Sequence, residues 1–316
     1  MPGESEAELV FYESLTSLAV PAFCQAVRES LQAPPAHLWL NLEDVKVVDV
    51  AGPAALLQAV RRCQARGVRV SILPSPAIHR ALLVAGILPD LPLEGPGAGP
   101  PIAAPGVPRE DPAQPPRLLA STARLGLRPP TWDELEHFST WAGDPLLDQM
   151  VGSQLLFLCR HLGPYHPDFV AHVLYDPSAI TLVVRPLEPD AKPVGFVRLF
   201  NVNLVERFAF LETGIVNARS LRAGWGIEAS RLALAWAMDV LEVRRVEAKV
   251  YAYNVLSINS LRRNGFQHEG VLRAAKMYGG QLWDILLFAI LEDEMRTQRL
   301  QDGFPYMGFW DPDDRP

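Results

Sequence analysis

Residues 220–240 read SLRAGWGIEASRLALAWAMDV, with two glycines at the mouth of a long apolar stretch of helical character. Glycine costs about 1 kcal/mol relative to alanine inside a helix. Gly224 and Gly226 therefore mark either a sharp turn or a place where something comes very close to the backbone. Upstream, LETGIV puts a carboxylate, Glu212, on a strand two residues before Gly214. A glycine inside a strand marks a bulge or a splayed edge. Downstream, NVLSINSLRRNGF forms a short helix with Asn254 as its cap, Ser257 in its first turn and Gly265 as its stop. A carboxylate and a hydroxyl beside such a mouth can take and give protons. The plainer alternative is a solvated or cross-strand-paired Glu212 and a Ser257 hydroxyl that bonds its own backbone.

Composition narrows the classes of function. The 316 residues are about half apolar, carry a formal net charge of −7 and show no long Lys/Arg block. That balance argues against a nucleic-acid binder held by general phosphate attraction and leaves a local basic patch open. Cys24, Cys63 and Cys159 are odd in number and lack metal-ligand spacing, so a reduced, cytoplasmic protein is expected. MPGESEAELVFYES has no basic and apolar leader pattern, and no apolar run reaches the roughly 20 residues of a membrane span. His161 and His166 stand five apart, off helical register, so no metal site is expected.

The elements that position these residues fall on two sides of a seam. Residues 94–117 hold eight prolines and four glycines in 24 positions, a composition that neither pairs in a sheet nor packs a core. This reads as a linker, either a plain tether or one that carries a recognition motif for a partner, and it predicts two separately folded pieces. Before it, HLWLNL and VKVVDV are apolar strand patches. AGPAALLQAVRRCQARG has helical spacing, with Arg61, Arg62 and Gln64 on its polar side. VRVSIL is a strand and PAIHRALLVAGI a short helix. That alternation predicts a small α/β domain. After the linker come a strand in LLASTARLGLRPP and a helix opened by the capping-box spacing of Thr131 and Glu134. DPLLDQMVGSQLLFLCRHLG and HPDFVAHVLYD are two more helices. ITLVVRP, VGFVRLFNVN and ERFAFLETGIVN are strands, RVEAKVYAY is a half-buried strand, and GVLRAAKMY and WDILLFAIL close the domain.

WLNLEDVKVVDVAGPAALLQAV, ARGVRVSIL and AIHRALLVAGI resemble the STAS domain of anti-sigma-factor antagonists and sulfate transporters, over about residues 8–93. Regulatory members have a phosphorylated serine after the aspartate. Here the stretch is Asp49-Val50-Ala51-Gly52, without a hydroxyl, so a phosphoswitch is not expected. What the resemblance leaves is a protein-binding or oligomerising module, or a structural appendage, with Asp49 as a helix cap.

RAGWGIEA, NVLSINSLRRNGF, HEGVLR and a late Asp284 together resemble the GNAT acyltransferase superfamily, nearest the branch of ribosomal-protein N-terminal alanine acetyltransferases, over about residues 122–295. The resemblance implies an α/β domain with a central splayed sheet and acetyl-CoA as co-substrate. Its pyrophosphate would rest on the helix mouth formed by Arg222, Ala223, Gly224, Trp225, Gly226 and Ile227, where unpaired amides favour an anion. The family pattern Gln/Arg-x-x-Gly-x-Gly/Ala is broken at Leu221, with Arg222 one place later. Backbone near Ile215 and Val216 would bind the pantetheine arm, and Asn254 would add a contact to it. Glu212 takes the place of the general base and Ser257 that of the proton donor. The tyrosine many members carry is Leu261 here; Tyr251, Tyr253 and Tyr278 are possible substitutes. Arg198, Asn201 and Asn203 face either the acceptor or solvent.

The expected organisation is a STAS-like domain over 1–93, a linker over 94–117, a GNAT-like domain over 118–300 and an aromatic, acidic tail over 301–316. The tail either folds back or reaches a partner. The expected activity is acetyl transfer from acetyl-CoA to the primary amine of a protein N-terminus or small molecule, directly and within a ternary complex. The STAS-like module would mediate protein interaction or self-association. No nucleic acid, membrane or metal takes part. The alternatives are a non-catalytic acyl-CoA sensor coupled to the STAS-like module, or a module that only assembles and localises the enzyme.

Overall fold

The computed structural model describes residues 5–94, 117–188, 191–216 and 223–310, apart from the side chains of Leu146 and Asp148. The linker lies outside the described residues except for its two ends. In the first domain β1 (Glu6–Leu15), β2 (His37–Val48) and β3 (Arg69–Pro74) form a parallel sheet in that order. Three helices, α1 (Val20–Ser30), α2 (Ala51–Ala65) and α3 (Pro76–Val84), complete it. HLWLNL and VKVVDV are one strand, because Leu38, Leu40, Leu42 and Val45 all bury on the helix side. β1 and α1 carried no clear pattern in the sequence and were not anticipated.

α2 departs from its expected amphipathic form. Residues 51–60 are all buried, and so is Arg62. The reason is a second partner on its polar side. The Gln58 amide donates to the Val240 carbonyl at 3.0 Å, and Arg62 pairs with Glu242 at 3.3 Å. The Arg62 guanidinium also lies 4.8 Å from the centre of the Trp310 ring. The two domains therefore share one continuous apolar core. The seam seen in composition is a seam in the chain and not in space.

The second domain is built on an eight-stranded sheet in the order β10-β11-β9-β8-β7-β6-β5-β4. Its strands are β4 (Ala120–Ser121), β5 (Leu125–Arg128), β6 (Ile180–Pro186), β7 (Gly195–Asn203), β8 (Phe208–Ile215), β9 (Arg245–Tyr251), β10 (Gln267–Tyr278) and β11 (Gln281–Leu291). Every pairing is antiparallel except β8 with β9. On one face α4 (Leu135–Ala142), α6 (Gln154–Leu162) and α7 (Pro167–Leu174) enclose a small core of Phe138, Trp141, Phe169 and Phe196. On the other lies α8 (Trp225–Val240), which is buried along most of its length.

Two helix boundaries differ from the sequence reading. α4 begins at Leu135; the Glu134 carboxylate accepts from the Thr131 amide, while Arg128 holds its other oxygen at 2.7 Å. DPLLDQMVGSQLLFLCRHLG is two helices, α5 (Pro145–Val151) and α6. Gly152, at φ +60°, breaks them, and the Ser153 hydroxyl caps α6. The polar stripe of α8 is fully engaged: Glu228 meets Arg124, Arg231 meets Asp302, and Asp239 meets Arg299. After α9 (Val255–Arg263) and the last two strands, α10 (Glu292–Asp302) was not anticipated. The tail, as far as residue 310, folds back: the Met307 amide donates to Asp239 and Trp310 is buried.

Candidate active site

The sheet opens where β8 meets β9. Their pairing covers only Phe208, Ala209 and Phe210 against Arg245, Val246 and Glu247, although both strands run four or five residues further. The Val216 amide donates to the Val194 carbonyl across β7. By alternation Glu212 and Gly214 also turn their backbone groups to β7, and Leu211, Thr213 and Ile215 turn theirs to the gap. Of the two positions expected to present backbone, Ile215 faces the opening, and Val216 is already used by β7. Gly214 is not a bulge, since the β7 register runs through it without a shift. A Cβ there would come within 2.6 Å of the Phe196 ring.

The mouth of α8 lies beyond the end of β8. Gly224 is its N-cap at φ +78°, ψ +11°, and nothing lies within 4 Å of where its Cβ would be. The left-handed conformation explains this glycine, and the open space leaves the helix end accessible. Trp225, Gly226 and Ile227 supply first-turn amides without an intrahelical acceptor. Gly226 has a different reason: a Cβ would stand 3.1 Å from Ile215 Cγ1, so the glycine lets the helix pack on β8. Arg222 lies outside the described residues. Another cation is present: Arg124 donates to the Ala223 carbonyl at 2.8 Å and lies over Trp225.

Glu212 sits one side of the gap, on the face opposite α8, beside its cross-strand neighbour Arg198. Its Oε1 is buried without a hydrogen-bond partner. Burial pushes its pKa up, against a hydrogen bond from Ser153 and the charges of Arg198 and His172. Arg198 Nη2 donates to His172 Nε2 at 2.8 Å and lies 3.4 Å from Asp176. His172 Nδ1 is 3.2 Å from Asp176, so the tautomer that satisfies both contacts carries its proton on Nδ1. Burial alone would raise Asp176, but hydrogen bonds from His172 and Ser178 outweigh it and hold the carboxyl below its ordinary value. Burial lowers Arg198, against Glu212 and Asp176. The result is a network of Asp176, His172 and Arg198 standing beside a carboxylate whose Oε1 lacks a donor. Asn203 serves a turn, accepting from Val205 and Glu206, and Asn201 is exposed.

Asn254 and Ser257 stand at the start of α9. Asn254 caps the helix through the Ser257 amide at 3.0 Å. Its amide group donates to the Met150 carbonyl and the Ser257 hydroxyl, each at 2.8 Å. Tyr253 and Tyr278 also reach α5, donating to the carbonyl and side-chain oxygens of Gln149. These bonds pin α5 to the far side of the gap.

Models of two families match this chain. The acetyltransferase (GNAT) domain covers residues 124–267, and the STAS domain covers residues 9–94. The chain joins a STAS domain to a GNAT acetyltransferase domain. A curated relative, the uncharacterized N-acetyltransferase p20 of Bacillus licheniformis, is 35% identical over 71 residues, or 22% of this chain and 40% of that protein. The match thus spans under half of that relative. Among solved structures, a spermidine N-acetyltransferase from Vibrio cholerae in complex with CoA and spermine gives a TM-score of 0.48 at 17% identity, covering 55% of this chain and 99% of that one. Mycobacterium smegmatis RimJ in complex with CoA-disulfide gives 0.45 at 22%, covering 57% and 89%.

Within the GNAT domain, Leu261 is buried in the core, so the position of the family's tyrosine points inward. Arg124, Ser153, His172 and Asp176 were missed by sequence reasoning. The last two stand four apart in HVLYD, a spacing that could have been noticed; Arg124 lies far from α8 in sequence and gave no local signal. In the STAS domain Asp49 is buried and accepts from the Ser17 amide at 2.7 Å and the Ala51 amide at 2.9 Å. Burial pushes its carboxyl up to about 6. Val50 and Ala51 are buried as well, and a Cβ on Gly52 would fall 2.5 Å from the Leu15 carbonyl oxygen. Among the described residues, no group of three or more His, Cys, Asp or Glu side chains could hold a metal ion, and no helix is long and apolar enough to cross a membrane.

Proposed function

We propose that the GNAT domain transfers acetyl from acetyl-CoA to the primary amine of a protein N-terminus or small molecule, directly and within a ternary complex. The observation that carries this reading is the gap after Phe210 and Glu247, with Glu212 and its unpaired oxygen at one side. The pantetheine arm would enter along the backbone of Thr213 and Ile215. Its pyrophosphate would rest on the amides at Trp225, Gly226 and Ile227, with Arg124 supplying the charge. A protonated amine cannot attack a thioester. Glu212, raised towards the working pH by burial, removes that proton. Branch membership near the ribosomal-protein alanine acetyltransferases and a cytoplasmic location go with this reading.

The STAS domain would mediate protein interaction. Its α2 is committed to α8, so the surface left for a partner is the sheet face bearing Val10, Tyr12 and Trp39. The rival reading, an acyl-CoA sensor without turnover, draws on the buried Leu261 and on the engagement of Asn254 within the protein. Release of free CoA from acetyl-CoA across a panel of amines separates the two. A transferase releases CoA with at least one amine class, and a sensor binds acetyl-CoA and releases none.

A further inference from the structure

The transferase reading needs a donor for the departing thiolate: Leu261 has no acidic proton, and the hydroxyl of Ser257, the expected donor, is engaged by the Asn254 amide group at 2.8 Å. The side chains of β9 alternate: Val246, Ala248 and Val250 bury on one face, and Glu247, Lys249 and Tyr251 take the other. That second face is also the face of Glu212, since Lys249 Nζ lies 5.2 Å from the ring of Phe210, two residues before Glu212 on β8. Tyr251 thus flanks the gap opposite the strand that carries the base.

Three tyrosines crowd this end of the sheet, and their hydroxyls are not equivalent. Those of Tyr253 and Tyr278 are spent on Gln149. That of Tyr251 has no hydrogen-bond partner among the described residues and is not sealed from solvent. Its ring is fixed from two sides, by stacking on Tyr253 and by Lys276 Nζ at 4.6 Å from its centre. Its hydroxyl lies against Gly152, which leaves room for it. A Cβ on that residue would stand 1.9 Å from the Tyr251 oxygen, and Gly152 is left-handed besides. The next residue is Ser153, whose side chain lies beside Glu212. The break between α5 and α6 therefore brings a free phenol and the buried carboxylate to adjacent residues of one turn.

We infer that Tyr251 is the proton donor of the transferase, an assignment that rests on the function proposed above. Once Glu212 has passed the ammonium proton to solvent, the neutral amine nitrogen forms the new bond to the acetyl carbon and loses its next proton to Glu212. The carbon–sulfur bond breaks with its electron pair on sulfur, and the Tyr251 proton goes to that thiolate. Solvent then reprotonates the phenolate and accepts the proton from Glu212.

The test compares wild type, Tyr251→Phe and Gly152→Ala in the full chain, using acetyl-CoA and the amine that gives the fastest CoA release. Tyr251→Phe keeps the ring and removes only the hydroxyl, so kcat should fall about 10²-fold or more while acetyl-CoA affinity by calorimetry stays within two-fold. Gly152→Ala, which displaces the hydroxyl without removing it, should also lower kcat, with the thermal melt showing that the variant folds. A Tyr251→Phe kcat within three-fold of wild type overturns the assignment and leaves the transferase reading standing. A wild type that binds acetyl-CoA but releases no CoA with any amine overturns the transferase reading, and this assignment with it.

Discussion

Replacing Glu212 with Gln isolates the proposed base. Glutamine keeps the length of the side chain and one oxygen, and the Ser153 hydroxyl can accept from the new amide. Arg198 keeps Asp176 and His172 as partners, so the buried guanidinium is not stranded. The loss should therefore fall on chemistry. General-base roles contribute about 10²–10⁴ in rate, which corresponds to about 2.7–5.5 kcal/mol of transition-state stabilisation. Burial raises the Glu212 pKa, so wild-type kcat/KM should climb with pH through a midpoint above the ordinary carboxylate range. The variant should lack that ascending limb. Stability should move the other way. A carboxyl raised in the fold destabilises it once ionised, so wild-type stability falls as pH rises through the folded pKa, and the variant escapes that loss. The assays are steady-state CoA release from pH 5 to 9 and thermal melts over the same range. A variant within five-fold of wild type, with the ascending limb intact, would refute Glu212 as the base.

Arg124→Ala should weaken acetyl-CoA binding about ten-fold by calorimetry without unfolding the protein, since Arg124 contacts Ala223 and Trp225 at the α8 mouth. Arg62→Ala leaves Glu242 without its partner at a largely buried interface and should cost about 2–4 kcal/mol, read as a melting point lower by several degrees. Proteolysis within residues 94–117 should give two fragments that still co-elute on size exclusion, because α2 and α8 hold them together. Asp49 is pushed up to about 6, so its ionisation opposes folding. Wild-type stability should fall from about pH 4 to pH 7 relative to Asp49→Asn, and parallel curves would contradict that.

Much of this was legible in the sequence because local rules suffice for it. The strand alternation of RVEAKVYAY, the Asn254 cap and the Gly265 stop each follow from a few neighbouring residues. So does the glycine at the α8 N-cap, whereas Gly226 answers to Ile215, which no local pattern announces. What escaped depends on residues far apart in the chain. The burial of Gln58 and Arg62 comes from Val240, Glu242 and Trp310, which no periodicity in α2 can announce. The ranking of the three tyrosines depends on Gln149 and Gly152, about a hundred residues away. The chain of Asp176, His172, Arg198 and Glu212 joins a helix end to two strands, and only the fold assembles it.

We propose that acetyl transfer takes place in the gap between β8 and β9. Incubation of the full chain with acetyl-CoA and an amine panel of N-terminal peptides, polyamines, aminoglycosides and amino sugars, read by mass spectrometry, tests it most directly. The account expects one acetyl group added to the nitrogen of at least one class, matched by free CoA and sharply reduced in Glu212→Gln. Tight acetyl-CoA binding with every amine recovered unmodified would contradict it.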